Sequence, residues 1–188
     1  MYAATRYCGA LVIAALLGCE GPTGPAGSPG NANVVSGTFS VAPTEYVNGF
    51  WYFQVEGGTQ GNPAKVATVA VPAITADIAN NGAVLVYLKV PVAATSASTH
   101  WTLLPFHQGG FGGGYLVSIK AAAQTGQIVI GYLHERTDTS VTIPDTYAAT
   151  LPTYEFKYVG VAGMTPAALA AYVSLGDPDR MVAALRRD

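Results

Sequence analysis

From Asn33 to about Val161 apolar residues recur at every second position, and glycine and proline break the pattern every few residues. A strand sends successive side chains to opposite faces, so this period builds sheets and cannot build helices. Val35, Gly37, Phe39 and Val41 alternate with Ser36, Thr38 and Ser40, and Trp51, Phe53 and Val55 with Tyr52, Gln54 and Glu56. Lys65 to Val71 is rich in β-branched residues and ends at Pro72. Val84, Val86, Leu88 and Val90 oppose Leu85, Tyr87 and Lys89, a strand apolar on nearly both faces and therefore central to its sheet. Tyr115–Lys120, then Ile128, Ile130 and Tyr132, then Tyr154, Phe156 and Tyr158 complete about eight short strands. No long amphipathic helix intervenes. The pattern predicts a mainly β body over residues 33–162, an antiparallel β-sandwich or jelly-roll-like domain.

Two connections stand out. Ala73 to Gly82 reads as one helical turn, capped by Thr75 and closed at Gly82, leading into the central strand. Gly109-Gly-Phe-Gly-Gly-Gly114 joins Trp101–Phe106 to Tyr115–Lys120 as a hairpin loop. Its glycines do not make a phosphate loop, because no Gly-Lys-Ser/Thr follows and the next element is a strand. Beyond Gly163 the character changes. Thr165-Pro166 and Asp177-Pro178 are helix starts, and the two segments carry small apolar stripes: Leu169, Tyr172 and Val173, then Met181, Val182 and Leu185. Helices this short are not stable alone, so residues 163–188 are expected as a short helical tail of two short helices docked on the β domain.

The chain ahead of the body carries an address. Arg6 and the apolar run Gly9–Leu17 have the form of an export signal, too short for a helix that crosses a bilayer. Leu16-Leu17-Gly18-Cys19 reads as a lipobox, with residues 1–18 as signal peptide and Cys19 as the lipidated first residue of the mature chain. Cys8 lies within the signal, so Cys19 has no disulfide partner and the body must be held by its core. Removing Arg6 leaves eight basic against eleven acidic residues, a formal −3, too few cations to track nucleic acid. Residues 19–32 then form a linker in which Gly21-Pro-Thr-Gly-Pro-Ala-Gly-Ser-Pro-Gly30 places glycine at every third position, as a collagen triple helix demands. Three triplets read first as a stiff stalk of about 30 Å on a monomer, with a trimer as the alternative.

The strings Ala73-Ile-Thr-Ala-Asp-Ile-Ala-Asn-Asn-Gly-Ala-Val-Leu-Val-Tyr-Leu88, Trp101-Thr-Leu-Leu-Pro-Phe106 and Tyr154-Glu-Phe-Lys-Tyr-Val159, in this order behind the lipobox and triplets, resemble a group of uncharacterised bacterial lipoproteins with a short collagen-like segment and a C-terminal β-domain. The resemblance implies anchoring to the cell envelope and no known activity. Glu20 after Cys19 is compatible with outer-membrane sorting, so the expected location is the outer membrane or cell surface.

Chemistry-bearing residues are sparse. His100, His107 and His134 show no zinc-motif spacing, and His134-Glu135 lacks the second histidine of His-Glu-x-x-His, so neither metal nor other cofactor is expected. No Gly-x-Ser-x-Gly frames a serine, and Ser96 and Ser98 sit in a Thr-Ser-Ala-Ser-Thr loop. Glu45, Glu56, Asp77, Glu135, Asp138, Asp145 and Glu155 are scattered singly, and charged residues are 11% of the chain against about a quarter in typical domains. No catalytic residue is nominated and no enzyme is expected. The expected role is structural or surface-interacting in the envelope. Binding of a glycan or an envelope protein is the alternative, and a hydrolase the remote one. Eleven tyrosines supply contact area, but Tyr132, Tyr154 and Tyr158 share the inward phase of their strands. Phe111, flanked by glycines, is therefore the candidate ligand contact.

Overall fold

The computed structural model describes residues 34–93, 97–110, 112–163, 172–174 and 176–186. Among these residues nine strands run β1 (Val34–Val41), β2 (Val47–Val55), β3 (Gly58–Ala70), β4 (Ala83–Pro91), β5 (Thr99–Leu103), β6 (Phe106–Gly109), β7 (Tyr115–Gln124), β8 (Gln127–Arg136) and β9 (Tyr154–Val161). Helix α1 (Ala76–Asn81) precedes β4, and helix α2 (Pro178–Leu185) follows β9. The strands form two wholly antiparallel sheets, ordered β1-β9-β4-β5 and β2-β3-β8-β7-β6. Inward side chains of both sheets, among them Val41, Val86, Leu88, Ile119, Ile130 and Phe156, make one core. This is the β-sandwich-like body that the alternation predicts.

Turn chemistry agrees with the pattern. The β2–β3 and β7–β8 hairpins close at Gly57 and Gly126, with φ of 87° and 77°, where a side chain would clash with its own backbone. Thr75 caps α1 by accepting from the Ile78 amide at 3.3 Å, as its position before the turn implies.

β4 is apolar on both faces because both faces are covered. Val86 and Leu88 point into the sandwich, whereas Tyr87 packs with Val159, Val161, Met181, Val182 and Leu185 in a second core. Helix α2 lies on that outer face. Asp177 caps it by accepting from the amides of Asp179 and Arg180, and Lys157 reaches Asp179 at 2.6 Å. The stripe of Met181, Val182 and Leu185 is buried, as expected of a docked tail. The first of the two expected tail helices falls mostly outside the described residues. Tyr172 and Val173, which are helical, pack against the second core.

One expected strand is two. Trp101–Phe106 does not run on as a single strand: β5 pairs with β4, the chain turns at the cis bond between Leu104 and Pro105, and β6 pairs with β7 in the other sheet. Proline offers no amide to a ladder, and it sits where the chain leaves one sheet for the other.

The two ends of the sandwich differ. At one, β1 opens at Val34 beside Val161, Ile78 lies by Val35 and Gly160, and Val71 and Ile74 bond to Gly126. At the other, the β4–β5 and β6–β7 connections meet, and the β2–β3 hairpin extends outward. The chain therefore arrives from its N-terminal segment at the end opposite these loops.

Candidate functional site

β2 is an edge strand with β3 on one side only. β3 pairs with β8 from Ala64 to Ala70, so Gly58–Pro63 and their partners Phe50–Val55 project past the sheet as a two-stranded ribbon. The base of the ribbon is fixed. Trp51 lies against Gly131 so closely that a Cβ there would come within 2.3 Å of the ring, and the Tyr147 hydroxyl donates to the Gly49 carbonyl at 2.8 Å. Among the described residues no layer lies against its outer part. Phe50 is 50% exposed and Tyr52 66%, their rings 6.1 Å apart, while Phe53 and Val55 on the other face are exposed as well. The alternation of Trp51, Phe53 and Val55 holds, but register puts them on the face turned away from the sandwich core, where Trp51 alone is covered, lying half-buried over Gly131. Natural sheets blunt free edges with charge or proline, yet β2 contains neither. Charged neighbours are limited to Glu56 at the turn and Lys65 on β3.

A second feature is a cleft of about 570 Å³ between the sheets at the loop-bearing end. Register aims Leu88 and Val90 of β4 with Thr102 and His100 of β5 inward from one side, and Phe106, Gln108, Val117 and Ile119 of β6 and β7 from the other. Tyr154 of β9 completes the wall, and burial raises its phenol, with a smaller contribution from Tyr132, to about 12. Its volume lies within the range of small-molecule sites.

Outside the sandwich, on β6–β8, lies the densest polar cluster. Ser118 Oγ donates to Glu135 Oε2 and accepts from His107 Nδ1 at 2.8 Å, while Lys120 Nζ holds Glu135 Oε1 at 2.6 Å. Burial pushes the Glu135 carboxyl up, but hydrogen bonds from Lys120 and Ser118 and the charges of Lys120 and His107 outweigh it and hold it below the usual range. A serine nucleophile gives its proton to the histidine. Here the serine proton is directed at the carboxylate, and Ser118 is fully buried, so the cluster ties three strands together rather than activating an oxygen.

The three histidines are apart in role. His100 stands at the cleft, and His107 belongs to the outer cluster. His134 is buried, with Nδ1 donating to the Pro144 carbonyl at 3.0 Å and Nε2 within hydrogen-bond distance of the Tyr132 hydroxyl at 3.1 Å. Among the described residues no group of three metal-ligating side chains gathers. Cys19, nominated for lipidation, and Phe111, nominated as a ligand contact, lie outside the described residues. Around Phe111, Gly110 is packed beneath Tyr115, and Gly112, Gly113 and Gly114 all have positive φ. Tyr154 is inward, as the phase of its strand predicts, but the cleft it lines has no signal in the alternation. The ribbon had one: a nine-residue strand, aromatic on both phases and free of charge.

No family profile matches the chain, and neither a curated protein nor a solved structure matches it.

Proposed function

We propose that this protein is a cell-envelope lipoprotein, held by lipid on Cys19, whose β-sandwich acts without catalysis as a surface-interaction module and self-associates through the β2–β3 ribbon. The observation that carries this reading is the uncharged, aromatic, uncovered edge of β2. Exposed apolar surface of this kind, enriched in Tyr, Trp and Phe, is characteristic of interfaces.

The favoured occupant is further copies of the same chain. A Gly-X-Y run can wind into a triple helix only three chains at a time, and three triplets cannot repay the entropy of ordering one unaided. The folded domain would have to supply the remaining association energy. β1 and β2 are edge strands of their respective sheets, joined directly through residues 42–46, so they lie on the same flank of the sandwich. The chain beyond the described residues joins at Val34 on β1. Three copies standing side by side with this flank inward would bring together three N-terminal segments and three ribbons. β2 itself brings no charge to such an axis, and the ribbon's charge is confined to Glu56 at its turn.

Light scattering on the full chain purified in mild detergent tests the association. The wild type should show the mass of three chains, and the joint replacement Phe50→Ser with Tyr52→Ser should give single chains with an unchanged melting curve, because both side chains are exposed. A single-chain wild type at tens of micromolar, a two-chain mass, or a trimer that survives the replacement would overturn it. For the anchor, Cys19→Ser should move the protein from membranes to the soluble exported fraction. A mutant retained in washed membranes, with no lipid on the wild type, would refute the lipoprotein reading.

A further inference from the structure

The inter-sheet cleft is independent of the ribbon and has a chemistry of its own. Its floor and walls are aliphatic and aromatic: Leu88, Val90, Phe106, Val117 and Ile119. Among the described residues no Asp, Glu or Arg lines it. Lys89 borders it, but register turns that side chain to the outer face with Trp101, and its ammonium is held by Glu155 at 2.6 Å. A formal charge on a ligand would therefore meet no opposite charge inside, and desolvating it would be costly. Sugars are equally ill served, since the lining offers few polar groups to satisfy their many hydroxyls.

What the cleft does offer is one hydrogen-bonding corner. The Tyr154 hydroxyl makes no hydrogen bond within the described residues, and burial holds its proton firmly. A buried hydroxyl without a partner costs free energy that a ligand acceptor or a water can recover. Thr102 and Gln108 add neutral polar groups, and His100 stands exposed beside them.

We infer that the cleft is a binding site for a neutral lipid: an apolar chain between the sheets, with an uncharged ester, ketone or hydroxyl oxygen accepting from Tyr154. The cleft opens at the end of the sandwich away from Val34, so its contents would be loaded from the side remote from the anchored segment.

Binding of the neutral dye Nile red to the full chain in detergent-free nanodiscs tests this, with empty discs subtracted and monolaurin, laurate and maltohexaose as competitors. Monolaurin should displace the dye, laurate at neutral pH should do so at least tenfold less well, and maltohexaose not at all. Val117→Trp, which fills the cleft from a half-buried position, should abolish saturable dye binding. Tyr154→Phe should weaken monolaurin about fivefold while leaving the dye unchanged, because it removes one hydrogen bond and little volume. The Phe50→Ser, Tyr52→Ser chain should bind as the wild type does, which separates this site from the ribbon. The inference fails if wild type shows no saturable binding, or if Val117→Trp folds and still binds. It fails equally if laurate competes as well as monolaurin, if maltohexaose displaces the dye, or if Tyr154→Phe leaves monolaurin unaffected.

Discussion

Trp51 and Gly131 are paired by absence: the indole of edge strand β2 rests where residue 131 of β8 has no side chain. A Cβ at 131 would stand 2.3 Å from Cε3 and 2.8 Å from Cζ3 of that ring. Gly131 is itself buried. The contact reaches across β3 and, with the Tyr147 hydroxyl on the Gly49 carbonyl, fastens the free edge; beyond them no layer of described residues supports the ribbon.

Gly131→Ala should therefore force the indole out, costing about 1–3 kcal/mol in chemical denaturation, the usual range for overpacking. Trp51→Ala should relieve the clash, so the alanine at 131 should cost less in that background. Equal costs in the two backgrounds would show that the ring does not rest on residue 131.

The outer polar cluster makes a prediction about pH. Glu135 titrates below its unfolded value, so its stabilising contribution is complete above about pH 4.3 and is lost as pH falls through the lower folded value. Glu135→Gln should lower stability at pH 7 by about 1–3 kcal/mol, the range for hydrogen bonds to charged groups, and should flatten the decline of melting temperature from pH 5 to pH 3. An unchanged acid slope would mean that Lys120 and Ser118 do not hold this carboxylate.

Helix α2 is joined to the sandwich chiefly through apolar contact. Leu185 is fully buried in the second core, so Leu185→Ala should cost about 2–5 kcal/mol, and a single cooperative transition should persist. Loss below half a kcal/mol would place the helix off the sheet.

Much of this architecture was legible in the chain. The two-face apolarity of β4, the Thr75 cap and the stripe of Met181, Val182 and Leu185 follow from residue spacing, because local periodicity and burial report the same geometry. What spacing could not convey is which layer covers a strand. Alternation in β2 looks like that of a core strand, but the ribbon extends past Ala64–Leu133, the last β3–β8 pair, and no layer of described residues covers it. The sheet change at Leu104-Pro105 was hidden because apolar residues continue through it: Trp101 and Leu103 serve the second core, and Phe106 the first. The cleft arises from the separation of β4–β5 from β6–β7, a long-range property that no single strand encodes. Of the nominated site residues, Cys19 and Phe111 rest on sequence alone.

Crosslinking in living cells measures the central claim, that the ribbon joins copies of this chain. A photoreactive phenylalanine analogue at position 52, which is 66% exposed, would report what touches the ribbon at the envelope. The account predicts adducts at two and three times the chain's own mass, both recognised by antibody to this protein and both lost when Phe50 is also changed to Ser. Adducts containing a different protein, or no adduct beyond the single chain, would contradict it.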